Sequence, residues 1–123
     1  MELDELLAWS DIVSVHSPLN ERTRGLVGAE QLAKMKPSAV IINVARGGII
    51  DEAALAEALD NATIAAAALD VFSVEPLRES PLFHIRDKYR LLASPHNAWS
   101  AVEAIDRLID CVAENIRTWQ EQA

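Results

Sequence analysis

Ile41-Ile42-Asn43-Val44-Ala45-Arg46-Gly47-Gly48-Ile49-Ile50-Asp51-Glu52 is the stretch that decides how this chain folds. From Ile41 to Val44 it is nearly continuous in apolar character. That is the pattern of a strand covered on both faces, as in a parallel sheet, rather than the alternation of a half-wet strand. The run ends at an arginine and two glycines. Asp51 then stands as an N-cap for a helix over residues 52–59, in which Leu55 and Leu59 share a face. Strand, loop and helix in that order form the repeating unit of an α/β fold.

Outward from this stretch the same alternation continues. Residues 11–16, 63–72 and 89–94 read, with 39–45, as four buried strands, and Leu69-Asp70-Val71-Phe72 is again nearly all apolar. The alanines at 65–68 are ambiguous, because alanine also favours helix. A short helix over residues 29–35 stops at Pro37, which has no backbone N–H to donate. Ser100 and Glu103 have the spacing of a capping box that opens a last helix. Within that helix Val102, Ile105, Ile109, Val112, Ile116 and Trp119 recur at alternating steps of three and four, a narrow seam of the kind that packs along another helix. Docking on its own domain is the expected use of that seam, and a partner helix is the alternative. The fold class is α/β with a mostly parallel sheet.

Composition bounds the function classes. A chain of 123 residues makes one compact domain. Its formal charge of −8 and pI near 4.7 argue against an electrostatic footprint for nucleic acid or anionic lipid, so neither is expected as a partner. Cys111 is the sole cysteine, so no intrachain disulfide can form, and a reducing cytoplasm is the simplest setting. Met1-Glu2-Leu3-Asp4-Glu5 has neither the basic nor the apolar region of a signal peptide, so no leader is expected. No apolar run approaches the roughly 20 residues a membrane span needs. His16 and His84 with a distant cysteine make no metal-ligand spacing, and no metal is expected. A G-x-S-x-G elbow is missing as well, which counts against an α/β serine hydrolase.

Open α/β sheets bind ligands beyond the carboxyl ends of their strands, so the residues there carry the chemistry. Arg46 sits at such an end, followed by glycines that permit close backbone approach to a ligand. Asp70 and Glu75 follow the next strand in Leu69-Asp70-Val71-Phe72-Ser73-Val74-Glu75-Pro76. His96 follows the last in Ala93-Ser94-Pro95-His96-Asn97-Ala98-Trp99-Ser100. Singly, each has a plain reading: a surface arginine beside a turn, two solvated acids, a structural histidine. Together, Arg46, Glu75 and His96 lie past successive strands and would converge on one sheet edge. Such a set suits reduction of a 2-oxo acid. Hydride addition builds negative charge on the carbonyl oxygen, which must be protonated or stabilised. A histidinium is the natural acid near neutral pH, and a neighbouring carboxylate favours its charged form. An arginine would hold the substrate carboxylate through two parallel hydrogen bonds and orient the carbonyl. His16, which ends a strand, could line a ligand cleft but reads first as packing, and His84 as solvated.

These stretches, with Ser10-Asp11-Ile12-Val13-Ser14-Val15-His16-Ser17-Pro18-Leu19-Asn20-Glu21-Arg22-Thr23-Arg24-Gly25-Leu26-Val27-Gly28 and Met35-Lys36-Pro37, resemble the D-isomer-specific 2-hydroxyacid dehydrogenase family over nearly the whole chain. By that resemblance Arg46, Glu75 and His96 are the catalytic trio. Asp70 would contact the nicotinamide carboxamide, Ser17, Pro18 and Thr23 would line the cofactor cleft, and the Val44 and Ala45 backbone would cover it. Ala98 and Trp99 would meet the cofactor after the catalytic histidine. Trp99 looks closer to the glycerate/hydroxypyruvate reductase branch than to the phosphoglycerate branch, although Asn97 replaces the commoner isoleucine. Glu75 argues against formate dehydrogenases, which usually carry glutamine there.

The chain also departs from the family. No G-x-G-x-x-G occurs, since Gly25, Gly28, Gly47 and Gly48 are the only glycines. The expectation is therefore the carboxyl-terminal half of a Rossmann-type, doubly wound sheet. The pyrophosphate turn, the ribose-gripping acid and the substrate domain are absent from residues 1–123, and Met1 stands where a family member would be well past that turn. The implied cofactor is NAD, with NADP left open because the discriminating residue belongs to the missing half. The implied substrate is a small 2-oxo or 2-hydroxy acid such as hydroxypyruvate or glyoxylate. By itself the chain is expected to bind dinucleotide poorly and to be inactive. Its first strand would be an open edge, and self-association into a homo-oligomer through that edge or the helix seam is expected. Two other readings accompany this one: a protein-binding module like the co-repressors related to the family, and a non-functional remnant.

Overall fold

The computed structural model describes residues 1–76 and 78–122. The apolar run at its centre forms a strand, β2 (Val40–Asn43), flanked by β1 (Ile12–Val15) and β3 (Ala66–Leu69), with β4 (Leu91–Ala93) beside β3. All the pairings are parallel and the strands lie in sequence order. Val13 is opposite Ile41, Ile41 opposite Ala67, and Ala67 opposite Leu91. The ambiguous alanine run is thus strand. Its small side chains sit between two neighbours whose ladders satisfy the backbone on both sides.

The helices are α1 (Leu3–Trp9), α2 (Ala29–Lys34), α3 (Glu52–Asp60) and α4 (Val102–Gln122), with 3-10 turns at Pro81–His84 and Lys88–Arg90. α1 was not anticipated: seven residues are too short to show a period, although Leu7 is fully buried. Asp51 caps α3 as expected, accepting hydrogen bonds from the Ala53 and Ala54 N–H groups at 2.9 and 3.0 Å. The capping box of α4 does not form. The Ser100 hydroxyl donates instead to the Asn97 carbonyl at 2.6 Å, and the helix opens at Val102.

Two expectations of packing are corrected. The strands are not covered on both faces. Val13, Val15, Ile41, Asn43, Ala67 and Leu69 are buried, whereas Ile12 and Leu92 on the other face are 65 % and 70 % exposed. The reason is topological. Right-handed crossovers between strands laid side by side in sequence order put every crossover helix on one face, where Leu32, Leu55, Leu59 and Leu82 join the core. Nor does α4 dock on this domain, for none of its described residues is buried. Twenty-one residues of helix run about 31 Å, while a four-residue strand spans roughly 13 Å, so the sheet offers less than half the length the seam would need.

Candidate active site

Because all the strands run the same way, their carboxyl ends share one edge, and the loops after them form the site. The loop after β2 is shaped by Asn43, the single polar residue within its apolar run. Its side chain is buried, donates to the Arg46 carbonyl at 2.9 Å and accepts from the Ala45 N–H at 3.0 Å. Gly47 is needed for a reason other than approach to a ligand. A Cβ there would lie 1.9 Å from the Phe72 carbonyl oxygen, so the glycine lets this loop sit against the backbone that follows β3. Gly48 has φ +80°, a left-handed conformation that glycine adopts without steric cost.

Glu75 and His96 meet. Glu75 Oε2 lies 2.7 Å from His96 Nδ1, and Glu75 Oε1 accepts from the Phe72 N–H at 2.9 Å. The Phe72 N–H, followed by the bond to His96, holds the Glu75 carboxyl below the usual glutamate range against the opposing effect of burial. With Nδ1 on the carboxylate, Nε2 is the ring nitrogen left to exchange a proton. The His96 and Glu75 side chains are 40 % and 34 % exposed, so a ligand can reach them.

His96 itself has φ +53°, a conformation that costs a non-glycine residue about 1 kcal/mol. Asp70 holds the strained loop. Its buried carboxylate accepts from the Ser94 hydroxyl at 2.5 Å and from the Asn97 and Ala98 N–H groups at 3.0 and 2.8 Å. Burial raises the Asp70 carboxyl, but these three donors and the nearby His96 outweigh it and leave the group below its ordinary value. The Trp99 indole N–H donates to the His96 carbonyl at 2.9 Å, a further brace.

Two open clefts flank this edge. One, of about 700 Å³, is lined by Phe72, Glu75, Pro76, Ala93, Ser94, Pro95 and His96. The other, of about 670 Å³, is lined by His16, Ser17, Pro18, Leu19, Val44, Ala45 and Arg46. Ser17, Pro18, Val44 and Ala45 line this second cleft together with His16, which the sequence offers both as a cleft residue and as packing. The Arg46 guanidinium shares that cleft and donates to its neighbour's Ala45 carbonyl at 2.7 Å rather than to Glu75 or His96. Thr23 is engaged within its own loop, its hydroxyl donating to the Pro18 carbonyl at 2.6 Å. Asp70, Ala98 and Trp99 act on the His96 loop. Asn43, Ser94 and Glu52 were missed. Of these only Asn43 carried a signal, a polar residue inside a buried strand that has to find partners.

The clefts suit one end of a dinucleotide. Small and apolar residues at the ends of β1 and β2 leave room for a flat ring beside Arg46, and the His96 pair lies across the same edge. No glycine-rich turn is present to receive a pyrophosphate. Among the described residues no cluster of His, Cys, Asp and Glu could hold a metal ion, and no helix is long and apolar enough to cross a membrane.

The family model for the D-isomer specific 2-hydroxyacid dehydrogenase NAD binding domain matches residues 1–98. The D-3-phosphoglycerate dehydrogenase of Mycobacterium tuberculosis is 47 % identical over 117 residues, covering 95 % of this chain and 22 % of that protein. The glyoxylate/hydroxypyruvate reductase B of Pectobacterium atrosepticum is 47 % identical over 116 residues, covering 94 % and 35 %. The crystal structure of a glyoxylate reductase from Paecilomyes thermophila superposes with a TM-score of 0.84 at 39 % identity, covering 96 % of this chain and 35 % of that one. The chain thus spans between about a fifth and about a third of the length of these relatives, and they represent both the reductase and the phosphoglycerate branches. A parallel sheet with the Glu75–His96 pair at its carboxyl edge and a family match over most of the chain lead to one conclusion: this chain belongs to the D-isomer-specific 2-hydroxyacid dehydrogenases, within their NAD-binding domain.

Proposed function

We propose that this chain is the carboxyl-terminal half of a dinucleotide-binding domain that works in hydride transfer between a nicotinamide cofactor and a small 2-oxo or D-2-hydroxy acid, of the size of hydroxypyruvate or glyoxylate. The observation that carries this reading is the 2.7 Å contact between Glu75 and His96 on the sheet edge that also bears Arg46. A bound nicotinamide supplies or accepts the hydride. Arg46 swings off the Ala45 carbonyl to hold the substrate carboxylate through two parallel bonds and so orients the carbonyl. His96 Nε2 gives its proton to the oxygen on which charge builds, and takes it back in oxidation. Glu75, ionised and fixed on Nδ1, stabilises the imidazolium that this cycle requires. Ser17, Pro18, Val44, Ala45 and the loop bearing Ala98 and Trp99 line and shape the cofactor's place. Thr23 holds the first of these loops and Asp70 the last.

With no glycine-rich turn among its residues, the isolated chain is inactive and binds NADH or NADPH poorly in this reading. It works in a reducing, cytoplasmic setting and self-associates. Calorimetry with NADH and reductase assays on the purified chain should show no micromolar binding and no turnover. The same chain joined to a glycine-rich half-domain and a substrate domain should reduce hydroxypyruvate or glyoxylate, and His96→Ala should lower that rate by about 100-fold or more. Turnover that survives His96→Ala would overturn the reading.

A further inference from the structure

Glu52 opens α3 and has no part in the reaction described above. Its carboxylate joins two points far along the chain. Oε1 accepts from the Ser73 backbone N–H at 2.6 Å, and Oε2 accepts from the Ser80 hydroxyl at 2.6 Å. Ser80 is buried, and its oxygen also accepts from the Leu82 N–H, which starts the 3-10 turn. The two serines bracket the stretch that carries Glu75. Within that stretch Val74, Glu75, Pro76, Arg78 and Glu79 are exposed, so these residues are held little by packing. At its start the backbone of Phe72 and Ser73 lies against Gly47. A carboxylate in the first turn of a helix is also favoured by the partial positive charge there, and its hydrogen bonds are of the stronger, charge-assisted kind.

We propose that Glu52 is a positioning residue of the active site: by pinning both ends of residues 73–80 it holds the Glu75 carboxylate on His96. The geometric part stands on the hydrogen bonds alone, and its catalytic meaning rests on the dehydrogenase reading above. A helix-opening side chain thereby couples the loop after β2 to the loop after β3. Removing it frees the Ser73 N–H and the Ser80 hydroxyl together, so the loop loses both anchors in one step.

The test uses the full chain and needs no turnover. The Glu75 side-chain carboxyl is followed by carbon NMR against pH, and hydrogen exchange is read at the Phe72 and Ser73 amides, in native protein, Glu52→Ala, Glu52→Gln and Asp60→Asn. Asp60 lies at the other end of α3 and accepts from the Arg86 N–H, so it controls for the loss of an acid from this helix. Glu75 should titrate below the ordinary glutamate range in the native chain and move up toward that range in Glu52→Ala. Both amides should exchange at least about tenfold faster, the equivalent of about 1.4 kcal/mol. Glu52→Gln, which keeps one acceptor for Ser73, should restore part of both effects, and it serves alone if Glu52→Ala does not fold. Asp60→Asn should lower the melting temperature and leave Glu75 unmoved. A Glu75 midpoint unchanged in folded Glu52→Gln and Glu52→Ala, or moved equally by Asp60→Asn, overturns the proposal. Inactivity of the enlarged protein with Glu75 still dependent on Glu52 would instead refute the dehydrogenase reading and leave the positioning intact.

Discussion

Asp70 is where the strain of the His96 loop is offset. His96 keeps a left-handed backbone because the two N–H groups after it and the Ser94 hydroxyl all point at one buried carboxylate. Asp70→Ala leaves those donors without a partner and should lower unfolding stability by about 3 kcal/mol, read by urea denaturation. Asp70→Asn, with a single acceptor oxygen and no charge, should fall between the two. The acid limb of stability follows from the same groups. Asp70 and Glu75 both have carboxyls below their ordinary values in the folded chain, so each contributes stability that is fully present above the unfolded carboxylate range. That contribution should fade as pH drops through about 4 and onward to the folded-state values, and Glu75→Gln should flatten the decline between pH 5 and 3. At this scale the sequence revealed which residues gather at the sheet edge but not what supports them. Arg46, Glu75 and His96 are legible because strand ends can be located from apolar runs. Glu52, Ser94 and Gly47 are not, because the groups they touch lie 21 or more residues away along the chain.

Elements were legible where local chemistry decides them. Asp51 before a leucine-bearing helix announced the start of α3, and its two accepted hydrogen bonds account for that. Asp51→Ala should cost about 1 kcal/mol and bring a melting temperature several degrees lower, without altering the NMR signature of the Glu75–His96 pair. An unchanged melting temperature would mean that tertiary contacts of Leu55 and Leu59 alone fix this helix. The strands came out shorter than their apolar runs, because residues such as Val44 and Val71 continue the run while the chain has already left the ladder for the site loops. The one-sided covering of the sheet was misread for a different reason. A continuous apolar strand tells only that both faces avoid charge, whereas which face is covered depends on strand order, and order is not written in any single strand. Ile42 and Ala68 remain half-buried on the face opposite the core helices.

Across the whole molecule, three apolar features face outward together: the bare side of the sheet with Ile12 and Leu92, the open edge of β1, and the seam of α4. Val102, Ile109, Val112, Ile116 and Trp119 are between 48 % and 69 % exposed, although their spacing is that of a coiled-coil stripe. The charged residues of α4 lie mostly off this stripe, so the helix is amphipathic while none of its described residues is buried. A surface of this kind on a chain in water favours association, and the self-association proposed above locates it at the helix. Light scattering at high micromolar concentration should then give a mass above that of one chain. Ile109→Glu combined with Ile116→Glu should return the mass toward a single chain by placing charges in the seam. The same double substitution should leave the urea midpoint of a dilute sample nearly unchanged, since no described residue of α4 is buried against the domain. The two measurements have to be read together. A monomeric mass before substitution would refute association. A lowered midpoint at dilution would show that α4 folds back over the sheet, covering Ile12 and Leu92 within one chain.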